Sequence, residues 1–250
     1  MKYLVTAYYW IIFALTLPTC WLVGLVIFLV TRPFDRTQAL LHRWICCYGW
    51  FYTHVWPGWS QRVEGRELLP RGACIIVANH QSGADIFTVM CIYHPFKFVA
   101  KASLFKTPFL GWLMTMVGYV PVVRKSADSM RKMLNDCREW LRLGVPVLIY
   151  PEGTYAPVGQ RLPFKRGAFR LAIEEQVPIV PVILEGTTDI VEGDGPMMGP
   201  RARVCVRVLP PIPASELGTD DAALAERVGS LFLPVRQGPA EVEPGLRKIG

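Results

Sequence analysis

A long uncharged apolar stretch at the amino terminus most strongly limits what this chain can fold into. No charged side chain lies between Lys2 and Arg32, and residues 3–31 are dominated by Leu, Val, Ile, Phe, Tyr and Trp. As one helix the stretch would be about 42 Å long, more than the roughly 30 Å hydrocarbon core of a bilayer. A cleavable signal peptide is the alternative, but the stretch is too long for one and no clear small-x-small cleavage site follows it. The sequence therefore predicts a helical membrane anchor, which Pro18 either kinks or splits into two short helices.

Aromatic side chains are concentrated in residues 40–59, after this stretch. Tryptophan and tyrosine favour the interface between membrane and water. Two arrangements are therefore open, a single spanning helix or a helical pair that dips into one leaflet. Arg32, Arg36 and Arg43 follow the apolar stretch, and positive residues stay on the cytoplasmic side. We therefore expect a protein of the cytoplasmic membrane whose main domain faces the cytoplasm. The seven cysteines are scattered and lack a CxxC pair, so we expect reduced thiols in the core, which agrees with a domain that faces the cytoplasm.

Apolar, β-branched runs alternate with helix-like segments through the rest of the chain. The runs lie at 73–78, 96–100, 117–123, 145–150, 178–184 and 203–209, and the helical segments at 84–93, 127–143, 166–175 and 220–233. Such alternation predicts an α/β domain with a mixed or mostly parallel sheet flanked by helices. Pro181 lies inside one run and predicts an edge strand or a bulge there. We expect three parts: a membrane-embedded helical element at 1–59, the main domain at 60–233 and a poorly ordered tail at 234–250.

His80 and Asp85 are the strongest candidates for chemistry. His80 follows the run 73–78, so it would stand at the carboxyl end of a strand, where α/β proteins place their sites. A carboxylate bonded to one ring nitrogen fixes the tautomer and leaves the other nitrogen free to accept a proton. A histidine and an aspartate at this spacing also occur by chance, with the histidine ending a strand and the aspartate capping a helix. The pair alone leaves both interpretations open.

Four sequence blocks together are more specific than this pair. They are NHQSGAD at 79–85, FVAK at 98–101 continuing to VPVVR at 120–124, YPEGT at 150–154 followed by PFKRGAF at 163–169, and VPIVPV at 177–182. In this order and spacing they resemble the glycerolipid acyltransferase family, typified by the 1-acyl-sn-glycerol-3-phosphate acyltransferases, over residues 60–215. The resemblance implies a glycerol-3-phosphate acyltransferase-like catalytic domain at 60–233, and it favours a two-helix membrane element before it.

The same resemblance implies roles for individual residues. His80 would be the general base and Asp85 the group that orients it. The remaining roles are acceptor binding by Lys101, Arg124, Glu152, Gly153, Thr154, Lys165 and Arg166, and contact with the acyl donor in the region of Pro181. Family members usually have arginine after Glu-Gly-Thr, whereas this chain has Tyr155, which brings no charge. No metal site is expected, because the histidines lack ligand-like spacing.

The implied activity is transfer of a fatty acyl group from an acyl thioester to the sn-2 hydroxyl of 1-acylglycerol-3-phosphate, giving phosphatidic acid. Tyr155 keeps another acceptor open, such as a lyso-ornithine lipid or a lysophospholipid with a head group. The donor is open between thioesters of acyl carrier protein and of coenzyme A, which would be co-substrates, and no cofactor is expected. A lipid hydrolase is less favoured, because Gly-x-Ser-x-Gly does not occur and Ser82 lies only two residues from His80 in sequence.

Charge patterning favours anionic partners. The chain has a net charge of +7, and residues 97–170 carry 13 Lys or Arg against four Asp or Glu. Nucleic acid is one possible partner of such a basic block, but the chain has no recognisable nucleic-acid-binding motif and begins with a membrane anchor. Anionic membrane lipid, a phosphate-bearing substrate or an acidic carrier protein is the better match.

Overall fold

A computed structural model describes residues 1–124, 126–157, 160 and 162–232, and their fold is a seven-stranded sheet flanked by helices. The strands are β1 (Trp59–Glu64), β2 (Ile75–Ala78), β3 (Lys97–Lys101), β4 (Val120–Val122), β5 (Val147–Ile149), β6 (Ile179–Glu185) and β7 (Ala202–Val208). The helices are α1 (Lys2–Thr31), α2 (Ala39–His54), α3 (Asp85–Met90), α4 (Leu110–Met116), α5 (Ala127–Arg142), α6 (Gly167–Glu175) and α7 (Asp221–Ser230). The predicted tail at 234–250 lies outside the described residues.

The sheet has the order β1-β7-β6-β2-β5-β3-β4. Neighbouring strands are parallel except for β6 and β7, which are antiparallel. Crossover helices connect the parallel strands and cover the sheet, which explains the near-continuous apolar sequences of β2, β5 and β6. The predicted mixed, mostly parallel α/β fold is therefore confirmed.

The prediction of an edge strand or bulge at Pro181 is wrong, because β6 lies inside the sheet between β7 and β2. Pro181 pairs with Val77 of β2. On the opposite side its carbonyl accepts a hydrogen bond of 2.9 Å from the amide of Leu209, just beyond the end of β7. The donor that proline lacks would point toward the same side, where the β7 ladder has ended. An interior strand therefore tolerates this proline without losing a bond from the middle of a ladder.

The two amino-terminal helices share a core with the sheet domain. Helix α1 continues through Pro18, so of the two alternatives left open for this proline the split into two short helices is wrong. Helix α1 is long and apolar enough to cross a membrane. Its inner side packs on α2 and α4, and Cys20 belongs to the same buried cluster as Ile76 of β2. Near its amino end, the Trp10 indole donates to the Pro196 carbonyl at 2.9 Å. All seven cysteines are free, and only Cys47 is exposed, as expected for reduced thiols.

The parallel strands bring several candidate residues to one edge of the sheet. His80 follows β2, Lys101 ends β3, Arg124 follows β4 and Gly153 follows β5. The carboxyl ends of neighbouring parallel strands lie side by side, and this edge is where open α/β sheets bind ligands. Helices α1 and α2 extend over the same edge, so they form part of the walls of the site described below.

Candidate active site

His80 is held at the carboxyl end of β2 by the residue that precedes it. The side-chain amide of Asn79 donates to the Leu184 carbonyl at 2.9 Å, and its oxygen accepts from the Leu184 amide at 2.8 Å. The asparagine therefore continues the ladder between β2 and β6 by one further step after the strand has ended. Because both bonds are buried, they fix the point at which His80 leaves the sheet.

His80 and Asp85 form the predicted hydrogen-bonded pair. The distance between His80 Nδ1 and Asp85 Oδ2 is 2.9 Å. The same oxygen accepts from the amides of Gln81 and Ser82, at 2.8 Å and 2.9 Å, so the carboxylate is tied to the turn that carries the histidine. A carboxylate can only accept, so Nδ1 carries the proton and Nε2 is left with a lone pair. This is the arrangement that a general base requires.

Two tyrosine rings pack on the imidazole of His80. The centroid of the Tyr150 ring lies 4.0 Å from that of the imidazole with an interplanar angle of 12°, and that of Tyr155 lies 4.2 Å away at 42°. Burial raises the pKa of the Tyr155 hydroxyl, and the nearby carboxylate of Asp194 raises it further. Burial also raises the pKa of the Tyr150 hydroxyl, so both phenols are neutral at physiological pH.

A cavity of about 1190 Å³ opens beside this pair. Its polar part is lined by His80, Lys101, Arg124 and Lys165, together with Asp194. Its apolar part lies between the amino-terminal helices and the sheet domain. The apolar lining includes Phe13, Leu17 and Cys20 of α1, Ile45 and Tyr48 of α2, and Leu110, Leu113 and Met114 of α4. The site therefore joins a base and a cluster of cations to an apolar chamber.

The loop after β5 brings the acceptor-binding candidates Gly153, Thr154 and Lys165 together. Gly153 has φ +71°, and a Cβ there would collide with the Lys165 ammonium. The Thr154 hydroxyl lies 3.4 Å from the Arg124 guanidinium, which donates to it. Because Gly153 has no side chain, the Lys165 ammonium can lie against its backbone at the edge of the cavity.

Three of the predicted site residues are not among the described residues that line the cavity, namely Glu152, Arg166 and Pro181. Glu152 is buried in the loop after β5. Arg166 precedes α6 and faces α7, with its guanidinium 4.0 Å from the carboxylate of Asp221. Pro181 is buried inside the sheet. Adjacent residues in a loop point in different directions, which is why Lys165 reaches the cavity and Arg166 does not.

Ser82 is a structural residue, although it lies close to the base in sequence. Its hydroxyl is fully buried, lies 2.6 Å from the Val191 carbonyl and 3.0 Å from that of Thr187, and accepts from the Ala84 amide. The single hydroxyl proton is therefore committed to these carbonyls, which is not the state of a nucleophile. Within the described ranges, no group of three or more His, Cys, Asp or Glu side chains could hold a metal ion.

Several contributors to this site were not predicted from the sequence. The paired bonds of Asn79, the two tyrosine rings and Asp194 depend on how loops return to the sheet edge. Only Tyr155 carried a signal, because it departs from the usual family residue. The α1 and α2 residues were predicted as anchor residues only, and their role in lining the cavity depends on how the helices pack.

The chain is similar to known proteins in both sequence and structure. The family model described as Acyltransferase matches residues 60–185, just over half of the chain. A chloroplastic 1-acyl-sn-glycerol-3-phosphate acyltransferase of Brassica napus is 37% identical over 159 residues, which cover 63% of this chain and 46% of that protein. A 1-acyl-sn-glycerol-3-phosphate acyltransferase of Saccharomyces cerevisiae is 38% identical over 178 residues, covering 68% and 58% of the two chains. This chain therefore spans about half of the length of these relatives.

A solved structure shares the fold over nearly the whole chain. The crystal structure of the 1-acyl-sn-glycerophosphate acyltransferase from Thermotoga maritima superposes with a TM-score of 0.74 and covers 92% of both chains. The sequence identity is 24%, so the likeness is one of architecture. It extends beyond the residues matched by the family model and includes the region of the amino-terminal helices.

Proposed function

Because the chain belongs to the acyltransferase family, we propose that it transfers a fatty acyl group from an acyl thioester to the sn-2 hydroxyl of 1-acylglycerol-3-phosphate. The product would be phosphatidic acid. One observation carries the proposal: the His80–Asp85 pair lies where a cluster of cations meets an apolar chamber. An acceptor with a phosphate, a hydroxyl and an acyl chain has three groups that match these three features.

In the proposed reaction His80 acts as the general base. Its Nε2 takes the proton of the acceptor hydroxyl as the oxygen attacks the thioester carbonyl, and Asp85 stabilises the imidazolium that forms. The tetrahedral intermediate then collapses with cleavage of the carbon–sulfur bond. The leaving thiolate takes the proton from the imidazolium, so the base is regenerated and the products are an ester and a thiol. No covalent acyl-enzyme is required, because a thioester is activated enough for direct attack.

Lys101, Arg124 and Lys165 are the proposed partners of the acceptor phosphate. All three line the polar part of the cavity and are exposed, so they can reach a phosphate without an initial cost of breaking a buried ion pair. Arginine suits phosphate because its planar fork of donors matches two oxygens at once. Glu152 and Thr154 would then shape the loop that carries these contacts, with Arg124 next to the Thr154 hydroxyl.

The acyl chains are proposed to enter the apolar chamber from the membrane. Helix α1 presents apolar side chains outward along its length, and its other side lines the chamber. We propose the cytoplasmic membrane as the location, with the catalytic domain facing the cytoplasm. The support for this orientation is the position of Arg32, Arg36 and Arg43 after the apolar stretch.

The test is acyl transfer by the purified, detergent-solubilised protein. Thioesters of acyl carrier protein and of coenzyme A would each be offered with 1-acylglycerol-3-phosphate and with other lysolipids. We expect phosphatidic acid, and a loss of about 10²- to 10⁴-fold in kcat for His80→Ala. His54→Ala is the matched control, because this histidine stacks on Trp50 and does not line the cavity in the described structure. Transfer that persists in His80→Ala would contradict the proposed base.

A second acceptor class is supported by the Tyr155 position. The family arginine would add a fourth cation to Lys101, Arg124 and Lys165, whereas Tyr155 is neutral and the Asp194 carboxylate is close enough to raise its pKa. A lysolipid whose head group carries an amine, such as a lyso-ornithine lipid, would find a negative partner at Asp194. Activity with such a lysolipid and not with 1-acylglycerol-3-phosphate would keep the mechanism and change the acceptor.

A further inference from the structure

The imidazole of His80 is enclosed on both of its faces. Tyr150 and Tyr155 each have a ring centroid close to 4 Å from that of the imidazole. Two rings cannot both occupy one face of the imidazole at this distance without overlapping each other, so the tyrosines lie on opposite faces. The side chain of His80 is consequently only 7% exposed, although it lines an open cavity.

The Tyr155 ring is held in this position by the backbone next to it. The amide of Ala156 donates to the carbonyl of His80 at 2.7 Å, so the chain beside Tyr155 is bonded to the catalytic residue itself. Ala156 is buried, whereas Tyr155 is half-buried and faces the cavity. One ring of the enclosure therefore comes from the end of strand β5, and the other comes from a loop that docks on the base.

We propose that Tyr155 is a positioning residue for the general base, which completes an aromatic enclosure that orients the imidazole and keeps water away from it. This inference rests on the proposed transferase activity. With Asp85 bound at Nδ1 and a ring on each face, the imidazole cannot rotate away, and Nε2 is held toward the cavity. The imidazolium formed during transfer also lies between two aromatic faces, which attract a cation.

Exclusion of water matters because water competes with the acceptor hydroxyl. Attack by water on the thioester gives a free fatty acid and a thiol, and it needs the same base as transfer does. The lone pair of Nε2 lies in the plane of the imidazole, so water must reach the edge of the ring to be activated. Loss of the Tyr155 ring would leave space for water beside that edge, because Tyr155 lines the same cavity as His80. The Tyr155 ring therefore raises the rate of transfer and also lowers the ratio of hydrolysis to transfer.

The experiment compares Tyr155→Leu, which removes the ring, with Tyr155→Phe, which keeps it and removes the hydroxyl. Transfer to the acceptor and release of free fatty acid are measured in the same reaction, with Tyr93→Leu as the control outside the cavity. For Tyr155→Leu we expect kcat for transfer to fall roughly tenfold and the ratio of hydrolysis to transfer to rise. For Tyr155→Phe we expect both to stay within about twofold of the wild type, because the ring is unchanged.

The ratio protects the test against partial misfolding, since fewer folded molecules lower both rates equally and leave the ratio unchanged. Wild-type values of both quantities in Tyr155→Leu would overturn the inference, even if transfer depends on His80. A loss in Tyr155→Phe as large as that in Tyr155→Leu would also overturn it, because the hydroxyl and not the ring would then be responsible. Transfer that is unaffected by His80→Ala would instead remove the proposed function on which the inference rests.

Discussion

At the residue scale, Gly153 controls how closely the Lys165 ammonium approaches the backbone at the edge of the cavity. We expect Gly153→Ala to raise KM for a phosphate-bearing acceptor, because the new Cβ would displace the lysine from its position. The substitution should also cost about 1–2 kcal/mol of stability, since φ is +71° and a Cβ is strained in that region. Initial rates at varied acceptor concentration and a thermal unfolding midpoint measure the two effects.

Gly218 supplies a matched control for this substitution. Its φ is +69°, and a Cβ there would meet nothing within 4 Å. Gly218→Ala therefore imposes the same backbone strain without displacing a neighbour. We expect it to lower the unfolding midpoint as Gly153→Ala does and to leave KM unchanged. An equal rise of KM in both variants would mean that strain, and not the position of Lys165, is responsible.

The predictability of the site from sequence differed from residue to residue for physical reasons. The contact between His80 and Asp85 could be predicted because the two residues lie within one turn, where spacing in sequence fixes spacing in space, whereas their proposed roles came from the family resemblance. The location of Lys101 and Arg124 beside the cavity could be predicted because they lie at or just beyond the ends of parallel strands, whose carboxyl ends lie side by side. The tyrosine enclosure could not be predicted, because the contact of Tyr155 with the base depends on a hydrogen bond made by the following residue.

At the scale of secondary-structure elements, Lys97 joins three parts of the fold. Its ammonium donates to the Thr37 carbonyl at 2.6 Å, between α1 and α2, and to the Val117 carbonyl at 2.5 Å, at the end of α4. It also lies over the Trp140 ring of α5, at 4.3 Å from the centroid. We expect Lys97→Met to lower the free energy of unfolding by about 1–3 kcal/mol at pH 7, because the buried Val117 carbonyl and the partly buried Thr37 carbonyl lose their donor.

The same lysine should make stability depend on pH. Burial lowers the pKa of Lys97 to about 8, an effect that Asp35 partly opposes. In the unfolded chain the amine has its usual pKa near 10.4, so above pH 8 the unfolded state binds more protons than the folded state. The pH-dependent part of the stability from this group is therefore fully present above the unfolded pKa and is lost as the pH falls through 8, whereas the contribution of its hydrogen bonds at pH 7 is separate from it. We expect the difference in unfolding midpoint between wild type and Lys97→Met to be larger at pH 10 than at pH 7, and a constant difference would refute the assignment.

Most elements could be predicted from the sequence, and the two that were missed have identifiable causes. All six predicted strands and all four predicted helices occur at their expected places. Strand β1 was missed because only Trp59 and Val63 of its six residues are apolar, so this strand at the edge of the described sheet has no apolar run. Helix α4 was missed because its seven residues are almost all apolar, and periodicity cannot separate such a segment from a buried strand.

At the scale of the whole molecule, α1 has an apolar stripe that the domain leaves uncovered. The stripe consists of Leu4, Tyr8, Ile11, Leu15, Leu22, Val26 and Leu29, which are exposed and follow one another at helical spacing. The opposite side of the helix packs on α2 and α4. A helix of 30 residues is about 45 Å long, so the stripe forms a continuous apolar surface much longer than an ordinary exposed patch.

Helix α1 is apolar and exposed on one side and packs on the domain along its other side. This arrangement fits a helix that lies in one leaflet better than a helix that is surrounded by lipid. We therefore expect the purified protein to bind vesicles through this surface. Changing Leu15, Leu22 and Val26 together to glutamine should lower the partition coefficient by at least about tenfold, because each side chain stands to lose on the order of 1 kcal/mol of burial in lipid. Vesicle flotation at fixed protein concentration measures the change.

The control is a second triple variant with the same chemistry at another surface. Leu68, Leu143 and Leu231 are also exposed but belong to the sheet domain rather than to α1. Changing these three to glutamine removes as many apolar side chains and should leave flotation unchanged if the stripe is the membrane-binding surface. Equal losses in both variants would indicate non-specific adsorption. If the stripe variant floats as well as the wild type, a helix inserted across the bilayer is favoured instead. Such insertion requires α1 to separate from α2 and α4, which would open the apolar chamber that the three helices line together.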